Sequence, residues 1–259
     1  MAQLDTKIER VAGNQVITDR KLSVADRPGL WATCPLDAIA HDPTLAVVRQ
    51  GSFATYTNGE GGWAEVTTNS GTTGTLTAAA GYLGGCMRFG ASDATDLDND
   101  ETYIGTEDET YILANGKDIW FEAEVKFTEA NTDDANVFVG LCGVRTADML
   151  IDDGAGVILD QPAIGILKVD GGTTWNGVLK HTTSQATSVL ATRNSGAWEK
   201  LGFHVVSNTS VDYYVNGVKR ATRTSQIPTG TMGIVFGVKN GNSNNETVYV
   251  RNWKTVQLV

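Results

Sequence analysis

The sequence predicts an all-β protein, a two-sheet antiparallel jelly-roll sandwich preceded by an extended N-terminal arm. Three observations carry that expectation. From about Gly51 onward, apolar residues recur with period 2 in short runs rich in Val, Ile, Thr and aromatics. Clusters of Gly, Asn, Asp and Ser separate the runs, and 29 glycines against 5 prolines suit many tight turns. No helical period persists after residue 50, and nothing repeats at a fixed interval. A chain of 259 residues can bury one large core. Many strands without helices close as a sandwich or barrel.

Residues 1–50 form the expected arm, and residues 51–259 the sandwich. The arm holds three of the five prolines, and its six acidic residues balance six basic ones. "LDTKIERVA" can make one or two helical turns with Leu4, Ile8 and Val11 on one side. Beyond it, Pro28, Pro35 and Pro43 prevent long helices. A segment with so little core of its own suits contacts with neighbouring subunits. Its apolar anchors are Leu4, Ile8, Val11, Leu30 and Trp31.

The expected strands follow in order: "GWAEVTT", "GTLTAAA", "CMRFG", "TYILA", "IWFEAEVKF", "NVFVGLCGV", "AIGILKV", "WEKLGFHVV", "VDYYVNGV", "MGIVFGVK" and "TVYVRNWKTV". Asn216-Gly217 is the signature of a type I′ hairpin turn. "NGNSNNE", from Asn240 to Glu246, reads as the longer loop of a hairpin joining the last two strands. In "IWFEAEVKF", alternation sends Phe121, Ala123, Val125 and Phe127 to the core. Trp120, Glu122, Glu124 and Lys126 then face water, where Lys126 can pair with Glu124.

A formal charge of −10 and a pI near 4.7 disfavour a phosphate backbone or an anionic membrane as the main partner. The acid is concentrated: residues 91–160 hold eighteen Asp or Glu against Lys117, Lys126 and Arg145, which reads as a solvated face. Cys34, Cys86 and Cys142 are far apart and lack metal-ligand spacing, so they are expected as reduced, small apolar residues. No apolar run is long enough to span a membrane, and "MAQLDTKIER" lacks the hydrophobic core of a signal peptide. The expectation is a soluble protein folded in a cytoplasm and not secreted by the ordinary route.

The final third, "GAWEKLGFHVV", "VDYYVNGVKRAT", "MGIVFGVKN" and "VYVRNWKTV", resembles the concanavalin A-like lectin/glucanase domains, laminin-G-like modules included. "IWFEAEVKF" and "NVFVGLCGV" resemble their middle strands, so the resemblance spans roughly residues 50–259. It implies the sandwich and leaves function open, because lectins, hydrolases and virion proteins share it. Together with the arm and the acidic body, it resembles tailed-phage virion proteins, capsid decoration (cement) proteins first among them.

Hydrolases of this fold carry Glu-x-Asp-x-x-Glu or Glu-x-Asp-x-Glu on one strand, to supply the acid and the nucleophile or base of glycoside cleavage. Starting at Glu122, the third position falls on Lys126 or Phe127. Starting at Glu124, Lys126 takes the middle and Glu129 the end. Neither register is complete, and no enzyme activity is expected.

Asp96, Asp98, Asp100 and Glu107 match positions 1, 3, 5 and 12 of a calcium loop, as candidate ligands only. Position 6 is Glu101 where the loop needs Gly, and the following residues are strand-like. His41, His181 and His204 accompany no nucleophile elbow, and His204 in "LGFHVV" reads as a satisfied sheet histidine. For sugar stacking, Trp175 in "GGTTWNG" is the candidate, with Trp63 and Tyr56 behind it.

The resulting expectation is a non-enzymatic protein on the exterior of a phage capsid, made in the host cytoplasm and needing no cofactor. Its partners would be the major capsid protein and copies of itself, with a trimer favoured and neither nucleic acid nor membrane involved. The alternative is a carbohydrate- or receptor-binding module of a tail fibre or spike, with a glycan as ligand. A glycoside hydrolase is the third reading.

Overall fold

The computed structural model describes residues 6–11, 14–20, 29–35, 44–54, 56, 59, 61–68, 77–78, 81–82, 84–90, 98–128, 135–151, 156, 158–242 and 246–259, with backbone alone for 6–11, 14–20 and 77–78. Its elements are β1 (Thr6–Val11), β2 (Asn14–Arg20), the 3-10 helix η1 (Gly29–Thr33), β3 (Ala46–Gly51), β4 (Trp63–Thr68), β5 (Thr77–Ala78), β6 (Met87–Phe89), β7 (Glu101–Thr106), β8 (Tyr111–Ile112), β9 (Ile119–Thr128), β10 (Ala135–Cys142), β11 (Ala163–Lys168), β12 (Thr174–His181), β13 (Ser184–Thr192), β14 (Trp198–Val206), β15 (Ser210–Val215), β16 (Val218–Arg223), β17 (Thr231–Asn240) and β18 (Thr247–Leu258).

The strands make two antiparallel sheets of a sandwich. The first runs β13-β12-β11-β10-β17-β7-β4, with β8 on the end of β17. The second runs β16-β15-β14-β9-β18-β6-β5, with β3 beside the far half of β18. Between them lies the main core, to which β9 contributes Phe121, Ala123, Val125 and Phe127, the face that alternation predicts. Asn216 (φ 52°) and Gly217 (φ 75°) both take positive φ between β15 and β16, as a type I′ turn requires.

Two smaller apolar clusters lie outside this core. Phe138, Cys142, Leu167, Val178 and Val235 on the outer face of the first sheet pack with Met149, Leu150 and Ile158 of the segment that links β10 to β11. That linker therefore covers the sheet, which is why β10 is buried along its whole length. On the outer face of the second sheet, Leu30 and Trp31 of η1 pack with Cys34, Ala46, Trp120, Tyr214 and Val256. Gly202 makes room for them, since a Cβ there would stand 2.7 Å from Leu30 Cδ2 and 2.6 Å from the Phe121 carbonyl oxygen.

Several expectations are corrected. Thr6–Val11, expected as helical turns, is a strand paired with β2, with Ile8 opposite Ile17. Residues 1–50 are not all extended arm, because β3 belongs to the second sheet and η1 docks on it. β17 and β18 belong to different sheets, so they do not form the expected hairpin. Leu30 is fully buried and Trp31 is 9% exposed against the chain's own sandwich, where neither is available to a neighbouring subunit. Leu4 lies outside the described residues, and only the backbone of Ile8 and Val11 is described.

Candidate functional site

The site begins with an irregularity in β18. Arg251 opposes Glu124 and Lys254 opposes Glu122 on β9, so one extra residue is accommodated between them. This β-bulge, with Asn252 at φ 46°, reverses the inside–outside parity of the strand. Before it, Val248 and Val250 point to the core; after it, Trp253 does. Arg251 and Lys254 consequently both face outward, three positions apart, on the face that carries Glu122 and Glu124.

Glu122, Glu124, Asn252 and Lys254 border an open groove of about 570 Å³, with Trp31, Gln50 and Lys200 also lining it. Arg251 Nε donates to Glu124 Oε2 at 2.8 Å, and Asn252 Nδ2 donates to the same oxygen at 2.9 Å. Trp31 Nε1 donates to Glu122 Oε1 at 3.1 Å. Lys126, expected to pair with Glu124, instead lies 5.4 Å from the Tyr249 ring centroid and 5.9 Å from that of Tyr82. The Arg251 guanidinium stacks 4.0 Å from the Trp198 ring centroid, and Tyr82 packs edge-on against Trp198. Beside this patch, burial pushes the Cys86 thiol up to about 11 against the opposing charges of Arg251 and Lys126.

At the other end of the face, Trp120 stacks on His204 with ring centroids 4.6 Å apart and donates from Nε1 to Thr33 Oγ1 at 3.2 Å. His204 Nε2 lies 3.0 Å from Asp118 Oδ2 and Nδ1 lies 3.5 Å from Thr33 Oγ1 of η1, so both ring nitrogens have a partner. Burial, aided by the Asp212 charge, raises the Tyr214 phenol.

The sequence-predicted ligand sets do not assemble. Trp175 is the second residue of β12 and is 1% exposed; its Nε1 donates to Glu199 Oε2 at 2.8 Å. A ring enclosed between two sheets has no face to offer a sugar. Trp63 packs against Phe53, Phe236 and Trp253, and the Tyr56 hydroxyl donates to Glu65 at 2.8 Å.

Asp98 and Asp100 precede β7 while Glu107 follows it. Six extended residues at about 3.3 Å each place roughly 20 Å between the two ends. Glu107 therefore cannot complete a calcium loop with them, and Asp96 lies outside the described residues. Among the described residues no three His, Cys, Asp or Glu side chains gather as a metal site.

One charged cluster escaped sequence reasoning. Lys239 Nζ lies 2.8 Å from Asp148 Oδ1 and 3.8 Å from Glu101 Oε2, with both the Lys239 and Glu101 side chains fully buried. Glu101 also accepts from the Asp148 backbone N–H and from the Tyr103 hydroxyl, each at 2.7 Å. This cluster pins the linker between β10 and β11 to the first sheet. Only the placement of Glu101 and Lys239 on paired β7 and β17 brings it together.

No protein-family model matches the sequence, and no curated protein is similar to it. Solved structures share the fold. A protein of unknown function from Shewanella oneidensis MR-1 matches with TM-score 0.55 at 12% identity, over 83% of this chain and 88% of the other. The carbohydrate recognition domain of Emp47p matches with TM-score 0.54 at 10% identity, over 83% and 97%. The Bacillus licheniformis β-glucanase matches with TM-score 0.53 at 18% identity, over 82% and 97%. The sandwich is thus the concanavalin A-like jelly roll that lectins and glucanases have in common. Identities this low speak to the fold alone.

Proposed function

We propose that the chain is a non-catalytic structural protein of a tailed-phage particle, a decoration (cement) protein on the capsid exterior. It would be made in the host cytoplasm. The major capsid protein and further copies of this chain, as a trimer, would be its partners. The observation that carries this reading is the division of the N-terminal region. η1 and β3 dock on the sandwich, whereas β1 and β2 pair only with each other. A lone two-stranded hairpin is marginally stable in water, so it suits a surface beyond its own sandwich. A body of net charge −10 also fits the outside of a capsid better than contact with packaged nucleic acid.

Catalysis finds little support. Glu122 and Glu124 are each held by a neighbour, and Lys126 stands where a third carboxylate would be. Deleting residues 1–28 tests the structural reading, because it removes the hairpin and keeps Leu30 and Trp31 in place. The truncated protein should melt as the full chain does and fail to enter particles. Undiminished incorporation would overturn the proposal.

The second reading, a glycan- or receptor-binding module, is favoured by the groove beside the β18 bulge. Its two lysines, Lys200 and Lys254, the aromatic patch of Trp198, Tyr82 and Tyr249 beside it, and its open shape are features of a binding face.

A further inference from the structure

The outer face of the second sheet is basic on a chain that is otherwise strongly acidic. It presents Lys126, Lys200, Arg251 and Lys254 against Glu122 and Glu124, on a protein with thirty acidic and twenty basic residues. Arg251 neutralises Glu124. Lys126, Lys200 and Lys254 form no ion pair with any of the described residues. Two of them rest over aromatic rings: Lys126 over Tyr249 and Tyr82, and Lys254 5.2 Å from the Trp31 centroid.

Their spacing is set by the sheet. Lys126 lies on β9, Lys200 opposes Glu124 from β14, and Lys254 opposes Glu122 from β18. Each cation therefore occupies its own level along the strands, the levels about 7 Å apart, and the strand spacing of about 4.8 Å spreads them further. Such spacing suits a polymer with one charge per ring. It suits DNA poorly, with a charge about every 1.7 Å.

The rest of the face selects for rings and hydroxyls. Trp198 and Tyr249, at the level of Lys126, and Tyr82 against them are half-buried and offer apolar surface beside the groove. Glu122, Gln50 and Asn252 bring hydrogen-bonding groups to its middle. Its open, mostly polar lining lacks the enclosed apolar pocket that anchors a peptide side chain.

We propose that this groove, with the patch of Lys126, Trp198, Tyr82 and Tyr249 beside it, binds an acidic polysaccharide bearing carboxylates on its sugar rings. The lysines would take the carboxylates, the aromatic cluster the ring faces, and Glu122, Gln50 and Asn252 the hydroxyls. This deepens the glycan-binding reading and is independent of capsid attachment, because the test reads no particle incorporation.

The full chain would be titrated with polygalacturonate and alginate by affinity electrophoresis and calorimetry. Dextran, poly-L-glutamate and duplex DNA serve as comparators. Uronate polymers should bind at least tenfold tighter than all three, and weaken as salt rises. Lys200→Glu, at an exposed position, and Lys254→Glu should each lower that affinity at least fivefold at unchanged melting temperature. Trp198→Ala should lower it as well. Absence of binding to both uronate polymers would overturn the proposal. So would equal affinity for poly-L-glutamate, or undiminished binding by the Lys200→Glu/Lys254→Glu double variant.

Discussion

Replacing Trp175 with phenylalanine separates a core residue from a ligand-binding one. The indole is 1% exposed, and its Nε1 is one of two donors to Glu199 Oε2, the other being the Asn194 backbone N–H at 3.0 Å. Glu199 is itself 4% exposed, so water cannot replace a lost donor. Phenylalanine keeps most of the ring and removes one hydrogen bond to a charged acceptor, a loss of about 1.5–3 kcal/mol. At about 2–4 °C per kcal/mol for a domain of this size, the melting temperature should fall by roughly 3–12 °C.

Trp175→Ala adds a cavity, for a total of about 3–5 kcal/mol or more. That approaches the whole stability of a modest domain, about 5–15 kcal/mol. Any ligand binding lost in Trp175→Ala would therefore reflect unfolding. Calorimetry and urea denaturation of Trp175→Phe, Glu199→Gln and the double variant should show a coupling of about 0.5–3 kcal/mol. A Trp175→Phe protein within about 0.5 kcal/mol of the parent, or strictly additive single variants, would refute this account. Binding lost at unchanged stability would put the ring at the surface.

Two other outcomes follow from buried charge and buried thiols. Lys239→Met should lower stability by about 3–5 kcal/mol in urea, because it leaves the enclosed Glu101 carboxylate without its cation. Adding Glu101→Gln should recover much of the loss, and no recovery would show that the cation is not what matters. Burial holds Cys142 up at about 12 and Cys86 at about 11, from an ordinary 9.0. The unfolded chain releases these protons first, so their contribution is complete below pH 9 and is lost as pH rises toward 11–12. The unfolding free energy from urea titrations should decline between pH 9 and 10.5, by up to about 1.4 kcal/mol per pH unit for each thiol. Cys86→Ala/Cys142→Ala should flatten that decline; an unchanged slope would assign it to other groups.

Local chemistry made part of the protein legible. The alternation along β9 is written in residue types two apart, and Asn216-Gly217 announces positive φ at both turn positions. β7 was harder to read, because it is buried on both faces and flanked by acids that suggested a metal loop. β12 and β13 were missed because Thr, Asn, Ser and Gly interrupt their period. Trp175 fell in that stretch and read as a turn residue.

The groove itself had no sequence signal beyond Glu122 and Glu124. It depends on a bulge that turns Arg251 and Lys254 to the same side, and on strands more than a hundred residues apart in the chain. By itself, then, the sequence determined the all-β class, the inward face of β9, the β15–β16 turn and the acidic balance. These follow from residue type and near neighbours. Only the tertiary structure decided that Leu30, Trp31 and Trp175 are enclosed, that Asp100 and Glu107 lie apart, and that three lysines with no ion pair to any described residue share one face. Burial and charge pairing depend on which layer lies opposite, and that is set by strand order and register.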